Sequence, residues 1–320
     1  PNACRFSEAV HSGKPRCRGS AAALSKTIYN QGGTHSAICR FPAEERKVIN
    51  MRKLRNVITA GILAAAMALG AVGCQSGGGS SDDSSSEESV TLSIAAAASL
   101  EKCYTEKLIP MFEKEHSNVK IEGTYDSSGK LQTQIEQGME ADVFMSAATE
   151  QMDNLVDEDY ISKDDVVDLL ENKLVLIVPA KNANEDITSF ETAAKAETIA
   201  VGDPESVPAG QYAKEAFTNL NMWDDVNSKA SFGTNVTEVL NWVAKGSAEC
   251  GVVYATDAAS TDDVKAVAEA PEDALKTPVI YPVASLKNSK NKEMADEFVK
   301  FLQTDEALDV FKSYGFTINQ

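Results

Sequence analysis

From position 74 onward the sequence holds a single histidine, His116, and beyond Cys74 only two cysteines, Cys103 and Cys250. His116 stands in a charged stretch with no Cys or His at ligand spacing, and neither cysteine has a partner at zinc or redox spacing. The two cysteines therefore read as small core residues. Catalytic signatures are missing as well. There is no nucleophile elbow, no His-Glu metalloprotease pair, no phosphate-loop lysine and no dinucleotide glycine fingerprint, so an enzyme gets little support. Acidic runs such as 157–159 and 164–165 read as solvated helix faces. Positive charge is scarce: residues from 74 onward include 45 Asp/Glu against 19 Lys/Arg, a net of −26, whereas residues 1–50 carry eight basic and three acidic side chains. So acidic a surface repels nucleic acid and anionic lipid. It still allows a small anion, because a local pocket of backbone donors can overrule the far field.

The one long uncharged run, 57–73, follows Arg52, Lys53 and Arg55 and ends in small residues rather than a stop-transfer charge cluster. That is the pattern of a secretory signal over 51–73. A short transmembrane helix is the alternative reading. Against it stands Ala71-Val72-Gly73-Cys74, which resembles a bacterial lipobox, with Ala71 where Leu is commonest. The resemblance implies that Cys74 becomes a lipidated N-terminus on the outer face of the cell membrane. Two or more acyl chains, at about 0.8 kcal/mol per buried methylene, make a stable anchor. Residues 75–89 are a Gly/Ser/Asp/Glu tract without a large apolar side chain, so 74–89 reads as lipidated Cys and flexible tether. Residues 1–50 fit none of this. They are expected to be translated upstream sequence outside the native protein, with Met51 as the start, and Glu44-Glu45-Arg46-Lys47 can be encoded by a purine-rich ribosome-binding sequence.

Past the tether, short apolar runs alternate with amphipathic stretches, which predicts an α/β fold. Strands are expected at 91–94, 119–124, 142–145, 174–178, 198–201, 251–253 and 279–283. Helices are expected from Ser99, after Ser128, after Gly210 and up to Gly246, then at 291–303 and 305–313, with Pro110 breaking or kinking the first. No internal repeat is visible. One arrangement recurs: strand, small polar loop, helix. It leads from Ile94 to Ser99, from Tyr125 through Asp126-Ser127-Ser128-Gly129, from Val201 through Gly202-Asp203-Pro204 to Gly210, and from Phe232 through Gly233-Thr234-Asn235-Val236. Each puts free backbone N–H groups at a helix start, where anions are favoured. Taken singly these are also ordinary N-caps. Four in one chain, without a Lys or Arg anchor, are more suggestive of an anion.

The segments AAAASL (95–100), SSGKL (127–131), GDPESVPAGQYA (202–213), NVTEVL (235–240), VVYATDA (252–258) and YGFTI (314–318) resemble the molybdate-binding proteins of ABC transporters, in order from about Val90 to Gln320. The resemblance implies a type II periplasmic-binding-protein fold, two α/β lobes joined by a two-strand hinge with the ligand in the cleft. Lobe I would take 90–172 plus 283–320 and lobe II 173–282, with crossings near Leu174 and Tyr281. It also implies a monomer that hands molybdate or tungstate to an ABC permease and needs no cofactor, the metal being bound only as its oxyanion. The ligands would be Ser99 and Ser128 through hydroxyl and N–H, Ala209 and Val236 through N–H, and Tyr254 through its hydroxyl. Gly129 departs from relatives that carry a second Ser there. Asp126, two residues before Ser128, would repel a dianion if turned inward and is expected to face solvent. A receptor for another tetrahedral oxyanion, sulfate or phosphate, is the alternative, and an inward Asp126 would favour phosphate.

If Cys74 is the lipid attachment site, Cys74→Ser abolishes incorporation of labelled fatty acid and leaves ligand affinity unchanged. Continued labelling of that variant would contradict the lipobox reading.

Overall fold

The computed structural model describes residues 89–319, so the expectations for 1–50, 51–73, Cys74 and the tether up to 88 lie outside the described residues. Eleven strands occur among the described residues. They are β1 (Val90–Ala97), β2 (Val119–Asp126), β3 (Val143–Met145), β4 (Val167–Asn172), β5 (Leu174–Pro179), β6 (Ile199–Gly202), β7 (Ala230–Gly233), β8 (Cys250–Tyr254), β9 (Val264–Glu269), β10 (Val279–Ser285) and β11 (Thr317–Ile318). The helices are α1 (Glu101–Cys103), α2 (Ile109–Glu115), α3 (Ser128–Glu136), α4 (Thr149–Asp157), α5 (Pro208–Asn219), α6 (Trp223–Asn227), α7 (Val236–Ala244), α8 (Ala255–Ala259), α9 (Lys292–Phe301) and α10 (Asp305–Ser313).

The strands form two sheets, ordered β11-β4-β10-β3-β1-β2 and β7-β6-β8-β5-β9. In the first, β2, β1 and β3 run parallel, β10 is antiparallel to β3, and β4 is antiparallel to β10. In the second, β7, β6 and β8 run parallel, β5 is antiparallel to β8, and β9 is antiparallel to β5. The two lobes thus repeat one topology that the sequence does not show as a repeat. Central strands covered on both faces read as continuous apolar runs, and β5 (Leu-Val-Leu-Ile-Val-Pro) and β8 are buried along their whole length.

The chain crosses from the first sheet to the second at Lys173, between β4 and β5, and returns between Glu269 and Val279. The boundary expected at 282/283 falls inside β10. From Val279 to Tyr281 this strand is already paired with Asn172 to Leu170 of β4. Pro282 does not end it; the register shifts between Tyr281 and Pro282, where a residue without an N–H cannot keep the ladder.

Pro110 likewise does not break its helix. The backbone runs from a 3-10 turn at Ala98–Leu100 through α1, a π-helical turn at Tyr104–Leu108 and then α2, with Pro110 in the first turn of α2. The wider π turn takes up the lost N–H and the clash of the ring with the carbonyl four residues back. Tyr104, Leu108 and Phe112 are buried along it, and Phe112 meets Phe298 of α9 edge-on with ring centroids 5.0 Å apart. Cys103 and Cys250 are buried core thiols, and desolvation pushes Cys250 up to about 12.

The start of α5 lies hard against the end of β6. A Cβ on Gly210 would come within 2.0 Å of the Gly202 carbonyl oxygen, so only glycine lets the helix enter there. Both partners of the clash are backbone, so neither can swing aside. Gly210→Ala is expected to lower the unfolding free energy by about 1–3 kcal/mol in urea titration. A variant as stable as the wild type would show that the contact is looser than described.

Candidate functional site

Five strands end at one place. Ala97 at the end of β1 lies opposite Asp126 at the end of β2, and Gly202 of β6 lies opposite Gly233 of β7. From these carboxyl ends the chain turns into the 3-10 turn at Ser99, into α3, α5 and α7, and from β8 through Tyr254 into α8. Ligands of open α/β sheets gather outside strand carboxyl ends for this reason: each following helix presents first-turn N–H groups that have no intrahelical acceptor.

Ser128, the first residue of α3, is fully buried, and its Oγ accepts a hydrogen bond from the Ala147 N–H at 3.0 Å. The hydroxyl proton is left to donate elsewhere. Tyr254, from the other lobe, donates through Oη to the Ala147 carbonyl at 3.3 Å. One residue, Ala147, therefore joins two of the expected residues across the cleft through its N–H and its carbonyl. Ser99 Oγ lies 2.9 Å from Tyr281 Oη, and the Tyr281 ring packs edge-on against Tyr254 at 5.6 Å. Burial holds both phenols well above the ordinary tyrosine range, so they stay protonated. Asn172 Nδ2 donates to Tyr281 Oη at 3.3 Å and to Thr256 Oγ1 at 2.9 Å, tying the site to the crossing strand.

Ala209 and Val236 are buried in the first turns of α5 and α7. No contact of their own ties them to Ser128, but their neighbours meet the start of α3. The Gly129 N–H donates to the Ser206 carbonyl at 3.1 Å, and Asn235 Nδ2 donates to Asp126 Oδ1 at 3.2 Å. Gly129 is glycine for a steric reason, since a Cβ there would sit 2.5 Å from Ser206 O. Asp126 does not face solvent as expected. Its Oδ1 is half-buried and also accepts from the Ser127 N–H at 2.8 Å and from Lys130 Nζ at 3.3 Å, and these donors hold it against the lobe interface.

Two further bonds span the lobes: Gln151 Nε2 donates to Gln211 Oε1 at 3.1 Å and Lys102 Nζ to the Ser260 carbonyl at 2.8 Å. Ser127 Oγ is buried without a protein partner, a further donor that the sequence pattern passed over. Beside Ser99 a cleft of about 330 Å³ is lined by Lys102, Thr237, Asn241, Thr256 and Asp257 among others. Asp257 accepts from the Tyr254 N–H at 3.1 Å, and burial raises its carboxyl to about 7. The hydrogen-bond partners of Ser99 and Ser128 are a phenol and a backbone N–H. Among the described residues no group of three or more His, Cys, Asp or Glu could hold a metal ion.

The sequence pattern of the bacterial extracellular solute-binding proteins matches residues 92–317. YvgL of Bacillus subtilis (strain 168), provisionally named an ABC transporter substrate-binding lipoprotein, is 46% identical over 228 residues, covering 71% of this chain and 86% of that protein. The molybdate-binding protein ModA of Haemophilus influenzae is 39% identical over 233 residues, covering 72% and 91%. Among solved structures, the substrate-binding domain of a provisionally assigned molybdenum ABC transporter from Clostridium difficile is similar. It has a TM-score of 0.56 at 39% identity and covers 72% of this chain and all of that one. With the paired sheets above, these similarities make the fold that of the type II periplasmic-binding proteins. The chain belongs to the bacterial extracellular solute-binding proteins, transport components rather than enzymes.

Proposed function

We propose that this protein captures molybdate or tungstate between its lobes and delivers the oxyanion to an ABC permease, working as a monomer held to the membrane by lipid on Cys74. The observation that carries the reading is the donor set around Ala147. Ser128 Oγ receives the Ala147 N–H, so its own proton is left over, and the first-turn amides of α3, α5 and α7 begin at the same interface. An unprotonated tetrahedral dianion needs only donors. Ser99, Ser128, Ala209 and Val236 can donate, and Tyr254 can once its hydroxyl turns from the Ala147 carbonyl; charge-assisted bonds contribute roughly 1.5–3 kcal/mol each before desolvation and closure are deducted. The names carried by the relatives favour the same ligand.

Sulfate and phosphate fit less well. Sulfate is smaller and cannot reach both walls at full hydrogen-bond length, and protonated phosphate brings a donor that meets donors. The inward Asp126 is the feature that would suit protonated phosphate, through Oδ2, since the three protein donors converge on Oδ1.

Calorimetry on the domain from about Ser89 tests this. Molybdate and tungstate are expected to bind at micromolar or tighter Kd and sulfate at least about a hundredfold more weakly, a gap of roughly 2.7 kcal/mol. Equal affinity for sulfate and molybdate would contradict the assignment. Ser99→Ala and Ser128→Ala keep the backbone N–H but lose the hydroxyl, and each is expected to weaken molybdate binding by roughly 1.5–3 kcal/mol without unfolding the domain. Wild-type affinity in both would place the site elsewhere.

Asp257 adds a pH dependence. Its carboxyl is raised from 3.8 to about 7 in the folded protein, so across that window the folded state holds a proton that the unfolded chain has released. Stability from this group is fully present below the unfolded value and is lost as pH rises through the folded one. Asp257→Asn keeps an oxygen for the Tyr254 N–H and removes the ionisation. In urea titration, Asp257→Asn should gain on the wild type steadily from about pH 4 to about pH 8. A constant difference across that range would show that Asp257 is not held neutral by burial.

A further inference from the structure

The hydrogen bond between Asp126 and Asn235 crosses the cleft, and each residue also fixes a helix start. Asp126 Oδ1 accepts the Ser127 N–H, immediately before α3. Asn235 is the N-cap of α7, its Oδ1 accepting the Glu238 N–H at 2.9 Å. The amides that follow, on Ser128 and Val236, are the first of their helices. The 3.2 Å bond from Asn235 Nδ2 to Asp126 Oδ1 therefore ties together two helix N-termini that belong to different sheets. The bond has a charged acceptor, and the Asp126 side chain is only 27% exposed, so water competes with it weakly.

From this geometry we infer that Asp126 and Asn235 are a positioning pair, a latch that holds the α3 and α7 starts at their closed separation and so sets how long the bound oxyanion stays. The inference rests on the oxyanion reading for the identity of the ligand, though the latch itself is a property of the two lobes. The carboxylate beside an anion site thereby acquires a role: its charge is spent on Ser127, Lys130 and Asn235, and it grips the opposite lobe. A charged acceptor opposite an amide donor also makes the pair polar in one sense only, since two carboxylates there would repel.

A reciprocal exchange tests this. Asn235→Asp retains an N-cap oxygen for Glu238 but removes the Nδ2 donor and sets a second carboxylate against Asp126. It is expected to raise the molybdate dissociation rate about tenfold in stopped-flow measurement, with the association rate little changed. The double variant Asp126→Asn, Asn235→Asp restores a donor facing a carboxylate in the opposite direction and should recover most of the loss. Asn235→Ser, which caps without reaching across, serves if the aspartate variant folds poorly and should also dissociate faster. X-ray scattering on the ligand-free proteins supplies a second readout, with Asn235→Asp shifted to a more open form and the double variant back near the wild type. An unchanged dissociation rate together with an unchanged radius of gyration in Asn235→Asp, or no recovery in the double variant, would overturn the latch. If the wild type binds neither molybdate nor tungstate, the oxyanion reading fails, and the scattering comparison alone decides the latch.

Discussion

A first-turn amide has no acceptor within its own helix, and this constraint organises the molecule around the cleft. Three helices of eight residues or more, α3, α5 and α7, begin at the lobe interface, with Ser128, Ala209 and Val236 buried there. Buried donors must be met by something, and an anion meets several at once without a fixed countercharge. The serine and tyrosine hydroxyls follow the same logic. Each is placed by a single protein bond, Ser128 by the Ala147 N–H, Tyr254 by the Ala147 carbonyl and Ser99 by Tyr281. Tight glycine contacts at Gly129 and Gly210 let these elements approach closely enough for the donors to converge.

The parts of the fold legible in the sequence were those with strong local patterns. Strands β1, β3, β5, β6, β8 and β10 announce themselves as short apolar runs, β2 as an alternation of apolar and charged residues, and α9 and α10 as amphipathic stripes, with Phe298 and Phe311 on the buried faces. What escaped was short, peripheral or half-polar. β7 and β9 are the edge strands of the second sheet; Ser231 and Phe232 are exposed in β7, and only Val264 is buried in β9. β4 holds two adjacent leucines between two acids, and β11 has two residues. The helices passed over include α6 and α8 of five residues each, and α4, which buries only Gln151, Met152 and Leu155. The continuous helix through Pro110 depends on a π turn that no composition rule announces.

At the site, residue identity and motif reached the loops but not their mutual geometry. Nothing near Ser128 in sequence points to Ala147, nineteen residues away, or places Tyr281 against Ser99 across 182 residues. Asp126 is the instructive miss. Judged alone, a carboxylate beside a proposed anion site should turn to water, and Asp126 turns inward because the Ser127 N–H, Lys130 and Asn235 together outweigh hydration. Asn235 was legible as an N-cap, while its second bond depends on a partner 109 residues away.

The proposed oxyanion would lie among the starts of three helices drawn from two lobes. Diffraction at the molybdenum absorption edge, from crystals of the domain grown with molybdate, measures that place directly. A single strong anomalous peak is expected, with its oxygens within hydrogen-bond distance of Ser99, Ser128, Ala209, Val236 and Tyr254. A peak elsewhere on the molecule, or none at saturating molybdate, would contradict the account.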